Sequence, residues 1–347
     1  MIYEVENFPS REITIQNEKF LYFGGTAYLG LQTDKDFQEI FIDNIKKYGT
    51  NYGASRKANV QLAIYEKAEN YLADFIGSED CLTLSSGFLT GQMLVTYFHA
   101  TNRQCFYAPA THEALHVLNT KNHESFDELV HDINHNLETT NKNPVLFLDS
   151  MLLNGKNYPD FEWLGKINLE RITVAVDDSH GFGIVGKNGT GVYELLAKLN
   201  PRELFVCGSL GKGFGIQAGF IAGTKTSIEN LRSTNMYAAA SPAAPATMAT
   251  LLASKKITDI KRKILLENIQ HFISNISRIE QFKFLPNYPC FAFENEKLAA
   301  HLEKNKILVT NFNYPEEKDH LVLRIVLNAN HTQNDIKRLT TLINNFS

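Results

Sequence analysis

Lys212 is bracketed by glycines in the segment GSLGKGFG, directly after an apolar run, where an ordinary surface lysine would be out of place. Upstream, another apolar run ends in Asp177-Asp178-Ser179-His180-Gly181. His112 follows a third such run, Ser86-Gly87-Phe88 follow a fourth, and Ser209 stands just before the lysine turn. An amine, an acid, imidazole rings, and hydroxyls beside backbone N–H groups form the set that pyridoxal phosphate requires. The amine holds the cofactor aldehyde as a Schiff base, and the acid pairs with the pyridine nitrogen so that the ring becomes an electron sink. A flat side chain covers the ring, while hydroxyls and N–H groups at a helix N-terminus hold the phosphate.

Such a set works only if the fold brings several strand ends together. Runs rich in β-branched and aromatic residues at 80–85, 104–108, 145–150, 172–177, 204–209 and 220–223 read as strands. The stretch 60–76 reads as a helix: Leu62, Ile64, Tyr65, Ala68, Tyr71, Leu72, Phe75 and Ile76 fall mostly on one stripe, and Gly77 stops it. Strands alternating with helices imply crossover connections and an α/β fold with a mostly parallel, covered sheet. In that architecture ligands bind beyond the carboxyl ends of the strands, where the residues above fall. Farther on, a charged helix at 256–275, strands at 290–293, 307–312 and 320–327, and a helix at 333–346 read as a smaller α+β domain. The expected organisation is an N-terminal segment (1–45) that joins the small domain, a cofactor-binding large domain (46–240) and a C-terminal small domain (241–347), consistent with the chain length.

Bulk properties exclude several other classes. The formal charge of -4 gives no reason to expect nucleic acid or an acidic membrane surface. No apolar run approaches a bilayer span, and the N-terminus lacks a basic stretch followed by an apolar one, so a cytoplasmic protein is expected. Cys81, Cys105, Cys207 and Cys290 are widely spaced, three of them in or beside apolar strand-like runs, which suits buried thiols. Two motifs point elsewhere. HEALH at 112–116 matches HExxH literally, but it follows APAT and has no third ligand in view, so no metal is expected. GFGIVG at 181–186 matches GxGxxG, but KNGTG follows where a dinucleotide fold requires a helix to begin. His131 and His135 read as a solvated helix face.

VDDSHGFG followed by GSLGKGFG resembles the α-oxoamine synthases, within the class I/II aminotransferase superfamily of fold-type I pyridoxal phosphate enzymes. YLFGGTAYLGL, YGTNYGASR, LSSGFLTGQ and LRIVLNANH match in the same order, so the resemblance runs from Tyr22 to the C-terminus. It implies that Lys212 carries the cofactor and acts as the acid–base group at the substrate α-carbon. It further implies that Asp177 pairs with the pyridine nitrogen, His180 meets the phenolic oxygen and His112 stacks on the ring. Ser209, Gly87 and Phe88 would meet the phosphate, and Arg324 and Thr26 would bind the substrate carboxylate. The sites would be shared in a homodimer, with residues 52–56 and Ser241 near the partner's cofactor. Asp178, next to the pairing acid, reads as a supporting or turn residue.

The chain departs from the family pattern around the substrate. The segment ahead of the first strand is short, Thr26 replaces an asparagine, and Leu152 falls where a serine usually stands. Ala238-Ala239-Ala240 replace hydroxyl residues. The implied activity is the decarboxylative condensation of an amino acid with an acyl-CoA or acyl carrier to an α-amino ketone, as in 8-amino-7-oxononanoate synthase. An aminotransferase, or a degenerate cofactor-binding partner subunit, is the alternative.

Overall fold

The computed structural model describes residues 2–313 and 321–346. His320, the first residue of the strand expected at 320–327, lies outside them. Twelve strands run along the described chain: β1 (Glu12–Ile15), β2 (Glu18–Phe23), β3 (Asp80–Leu84), β4 (Cys105–Tyr107), β5 (Val145–Asp149), β6 (Thr173–Asp177), β7 (Glu203–Ser209), β8 (Gly219–Gly223), β9 (Lys283–Phe284), β10 (Cys290–Ala292), β11 (Ile307–Asn313) and β12 (Leu321–Val326). They divide between two compact units, one of Glu39–Lys255 and one of Met1–Gln38 with Lys256–Ser347.

In the unit Glu39–Lys255 the sheet order is β3-β8-β7-β6-β5-β4. The pairs from β4 to β7 are parallel, while β8 runs antiparallel to both β7 and β3. The sheet is mostly parallel, as expected, with one reversed strand that hydrophobic pattern does not reveal. β6 and β8 are buried along their whole length, as a sheet covered on both faces requires. Phe98, from the helix Gly87–Ala100, packs edge-on against Phe205 of β7 at 5.3 Å and Phe147 of β5 at 6.1 Å. These rings bind the helix to the sheet, largely through the area they remove from water. The helix foreseen at 60–76 begins at Ala63, leaving Val60 exposed, and Gly77 closes it in a left-handed conformation. The helix Pro245–Ala253 packs against it and belongs to this unit.

The second unit carries a sheet of order β1-β2-β11-β12-β10-β9, with β2–β11 the parallel pair. β1 and β2 form a hairpin whose two turn residues, Gln16 and Asn17, both have positive φ. The helix Gln333–Asn344 starts on a capping box between Thr332 and Asp335, and Arg11 grips Asp335 with two bonds of 2.5 and 2.7 Å. Arg324 lies on β12 between Ala292 of β10 and Thr310 of β11, its side chain exposed. Among the described residues no helix is long and apolar enough to cross a membrane.

Candidate active site

Register places the chemically capable residues side by side. Asp149, the last residue of β5, is opposite Asp177, the last of β6, which is opposite Cys207 of β7. Two residues farther along β7, Ser209 is opposite Gly219 of β8. The Lys212 turn comes immediately after as the short helix Leu210–Gly213, capped by the Ser209 hydroxyl, which accepts the Gly211 N–H at 3.1 Å. Gly213 is needed for a close approach, because a Cβ there would lie 2.3 Å from the Phe182 carbonyl oxygen. The loop after Asp177 therefore packs directly on the lysine turn. Ser179 strengthens that junction by accepting the Ser209 N–H at 2.9 Å.

Lys212 is partly buried, and burial lowers its pKa from the usual lysine value; the charges of Asp177 and Asp149 work in the opposite direction. Such an amine releases its proton more readily than a surface lysine, as a group that must bond an aldehyde needs to. Asp177 is buried and accepts the Ser179 N–H at 2.8 Å. His180 stands in the same turn.

His112 is held at two points. Its N–H donates to Asp149 Oδ1 at 3.0 Å, and its ring Nδ1 accepts the Ala114 N–H at 3.1 Å. The HEALH histidines flank a short 3-10 turn, Glu113–Leu115, rather than sharing one face of an α-helix. His116 is buried, stacked on Tyr107 at 4.7 Å and bonded to Thr120 and Asn122. No cluster of three metal-ligating side chains occurs among the described residues. GFGIVG likewise opens into turns, and its loop serves the packing around Asp178 and Lys212.

The start of the helix Gly87–Ala100 lies against Ser209. Ser86 caps it by accepting the Leu89 N–H at 3.2 Å, and a Cβ on Gly87 would come within 2.8 Å of the Ser209 backbone. The first N–H groups of a helix have no intrahelical acceptor and attract anions. Gly87 and Phe88 therefore present donors beside the Ser209 hydroxyl. A lysine with depressed basicity, a buried acid one strand away, a fixed imidazole and this glycine-tight cradle fit pyridoxal phosphate. Thr26 and Arg324 belong to the other unit, where both are exposed and the Arg324 charge acts on Tyr28 and Tyr288.

The model of the family "Aminotransferase class I and II" matches residues 155–343, more than half of the chain. The chain belongs to that family. It is a pyridoxal phosphate-dependent transferase of the α-oxoamine synthase type, as its relatives also indicate. An 8-amino-7-oxononanoate synthase of Petrotoga mobilis is 25% identical over 355 residues, covering 96% of this chain and 89% of the relative. That of Fervidobacterium nodosum is 24% identical over 346 residues, covering 93% and 87%. A serine palmitoyltransferase variant from S. paucimobilis with a bound pyridoxal phosphate–myriocin aldimine shares the fold at a TM-score of 0.82, with 20% identity and coverage of 99% of this chain and 91% of that one.

Two residues join the site that the sequence alone does not assign to it. Asp149 reads in sequence as the tail of an apolar run, although it ends its strand as Asp177 does. Asp178, expected to be a supporting or turn residue, is fully buried: Oδ1 accepts the Ser150 hydroxyl at 2.5 Å and Oδ2 the Val192 N–H at 3.1 Å. It ties β5 to the far end of the loop that buttresses the lysine. Burial pushes its carboxyl up to about 7, against the opposing effect of those two bonds, and neighbouring Asp177 adds to the rise.

Arg56, within the segment expected near a partner's cofactor, makes a buried two-bond pair with Glu69 at 2.7 and 2.9 Å. Its guanidinium lies 4.3 Å from the Tyr65 ring centre. Ser55 donates to the Ala238 carbonyl at 2.6 Å, and Tyr65 to that of Ala243 at 2.8 Å. The segment 52–56 and the approach to Ser241 are thus joined, with Ser241 exposed.

Proposed function

We propose that this chain condenses an amino acid with an acyl thioester, carried by CoA or a carrier protein, and releases carbon dioxide and free thiol to give an α-amino ketone. The observation that carries this reading is the similarity to 8-amino-7-oxononanoate synthases along nearly the whole chain. In this reading Lys212 holds the cofactor aldehyde. When bound, pyridoxal phosphate supplies an electron sink for the bond being broken at the substrate α-carbon. Lys212, shifted toward its neutral form by burial, takes the α-proton and returns one to the same carbon. Asp177 would face the pyridine nitrogen, His180 would meet the phenolic oxygen and His112 would cover the ring.

Ser209 and the N–H groups of Gly87 and Phe88 take the phosphate. Arg324 pairs with the amino-acid carboxylate through its planar fork, with Thr26 beside it. Ser241 serves the cofactor phosphate of a second copy in a homodimer. Leu152 in place of a hydroxyl favours a substrate that needs no polar contact there, and Ala238-Ala239-Ala240 leave Ser241 as the hydroxyl for the second copy's phosphate.

Incubation of the cofactor-loaded protein with single amino acids and a panel of acyl-CoA thioesters tests the reading. Release of free thiol dependent on both substrates is expected. Conversion of the cofactor to its pyridoxamine form by an amino acid alone, without thiol release, would establish an aminotransferase instead.

A further inference from the structure

We propose that Asp149 is a positioning residue of this site, fixing His112 against the cofactor ring through the His112 main-chain N–H. The proposal rests on the assignment of the ring to this site and is independent of the acyl donor.

Three observations converge on Asp149. Its Oδ1 accepts the His112 N–H at 3.0 Å, so the carboxyl sets where the imidazole leaves the chain. The ring is then fixed by the Ala114 N–H at Nδ1, which leaves the remaining ring proton on Nε2. The approach to His112 is itself strained: Ala110, two residues before it, has a φ of 60°, a left-handed conformation disfavoured for a residue with a Cβ. A strained turn needs an anchor at its end, and Asp149 supplies one.

Asp149 is in turn anchored from behind. Its carbonyl oxygen accepts the Asn157 side-chain amide at 2.5 Å, and Asn157 Oδ1 accepts the indole N–H of Trp163 at 2.9 Å. Asn157 is fully buried and Trp163 is the only tryptophan in the chain. The chain of contacts Trp163–Asn157–Asp149–His112 passes through Asp149, which is in register with Asp177. The covering imidazole and the acid expected at the pyridine nitrogen are therefore referenced to adjacent strand ends. Burial and the charge of Asp177 push the Asp149 carboxyl well up, while the His112 N–H and Lys212 oppose that rise. A neutral carboxyl still accepts the His112 N–H, so the anchoring does not depend on a formal charge.

The test compares the holoenzyme with Asp149→Asn, Asp149→Ala, His112→Ala and the double variant Asp149→Ala/His112→Ala. The readouts are the dissociation constant of pyridoxal phosphate and the circular dichroism of its visible band, with Trp163 fluorescence reporting local folding. Asp149→Ala is expected to weaken cofactor binding by about tenfold, the scale of one buried hydrogen bond to a polar site, and to reduce the dichroism. Asp149→Asn keeps the acceptor oxygen and should remain within about threefold of the parent. In the His112→Ala background the Asp149→Ala loss should largely vanish, because both changes remove one interaction.

Full additivity of the two changes, or an asparagine variant as damaged as the alanine one, would overturn the proposal. Should the alanine variant fail to fold, Asp149→Ser, which draws the acceptor back from the His112 N–H and remains polar, takes its place in the same cycle. A parent that binds no pyridoxal phosphate would refute the assignment of the ring to this site. A parent that binds it, with all variants equal to it, would refute the role of Asp149 alone.

Discussion

Replacing Asp178 with asparagine should make the protein's stability less dependent on pH, and the structure gives the size of the effect. The parent carboxyl titrates at about 7 in the fold against an ordinary value of 3.8. Because the folded pKa is raised, the unfolded chain gives up this proton first. Stability falls as pH rises from about 4, and the loss is complete above about 7. Between pH 5 and pH 8 that amounts to about 3 kcal/mol from this one group. Asparagine removes the titration while preserving the geometry: its carbonyl can accept the Val192 N–H and its amide can donate to the Ser150 hydroxyl, the two partners of Asp178. Urea unfolding of parent and Asp178→Asn at pH 5 and pH 8 measures the difference. The variant should be close to the parent at pH 5 and more stable than it at pH 8. A stability difference that does not change with pH would mean instead that the carboxyl is ionised throughout and that its two hydrogen bonds outweigh its burial.

Arg56→Ala removes both guanidinium bonds from the buried Glu69 carboxylate but leaves it the Thr83 N–H and hydroxyl and the Arg232 guanidinium at 3.5 Å, and should cost about 2–3 kcal/mol in thermal or urea unfolding; a loss under about 1 kcal/mol would contradict the pairing. Gly87→Ala forces a Cβ to within 2.8 Å of the Ser209 backbone and pushes the helix start away from the phosphate cradle. Titration with pyridoxal phosphate should show binding weakened by about tenfold or more, and unchanged affinity would remove Gly87 and Phe88 from the cradle.

The strands that frame the site were legible because each is a short, almost wholly apolar run, and a strand covered on both faces cannot be built otherwise. Observed and expected limits differ by a residue or two at most, as with β6, expected from 172 and found at Thr173–Asp177. The lysine turn and the two aspartates were legible because polar residues directly after such runs fall at strand ends. Asp149 escaped although it has the same signal, since only sheet order shows that β5 is beside β6. The reversal of β8 is set by the path of the chain from Phe214 to Ala218, which turns back along β7, and no hydrophobic pattern encodes that direction. The β1–β2 hairpin was hidden because its turn uses Gln16-Asn17, which lacks the glycine that normally marks two positive-φ residues. Asp178 reads in sequence as a supporting or turn residue, but its partners Ser150 and Val192 lie 28 and 14 residues away along the chain and are visible only in the fold.

Borohydride reduction of the cofactor-loaded protein, followed by peptide mass spectrometry, tests whether Lys212 is the residue that holds pyridoxal phosphate. A pyridoxyl-phosphate mass is expected on the peptide containing Lys212, and its loss together with the visible absorbance band in Lys212→Ala. Label on a different lysine, or an unchanged band in Lys212→Ala, would contradict that role.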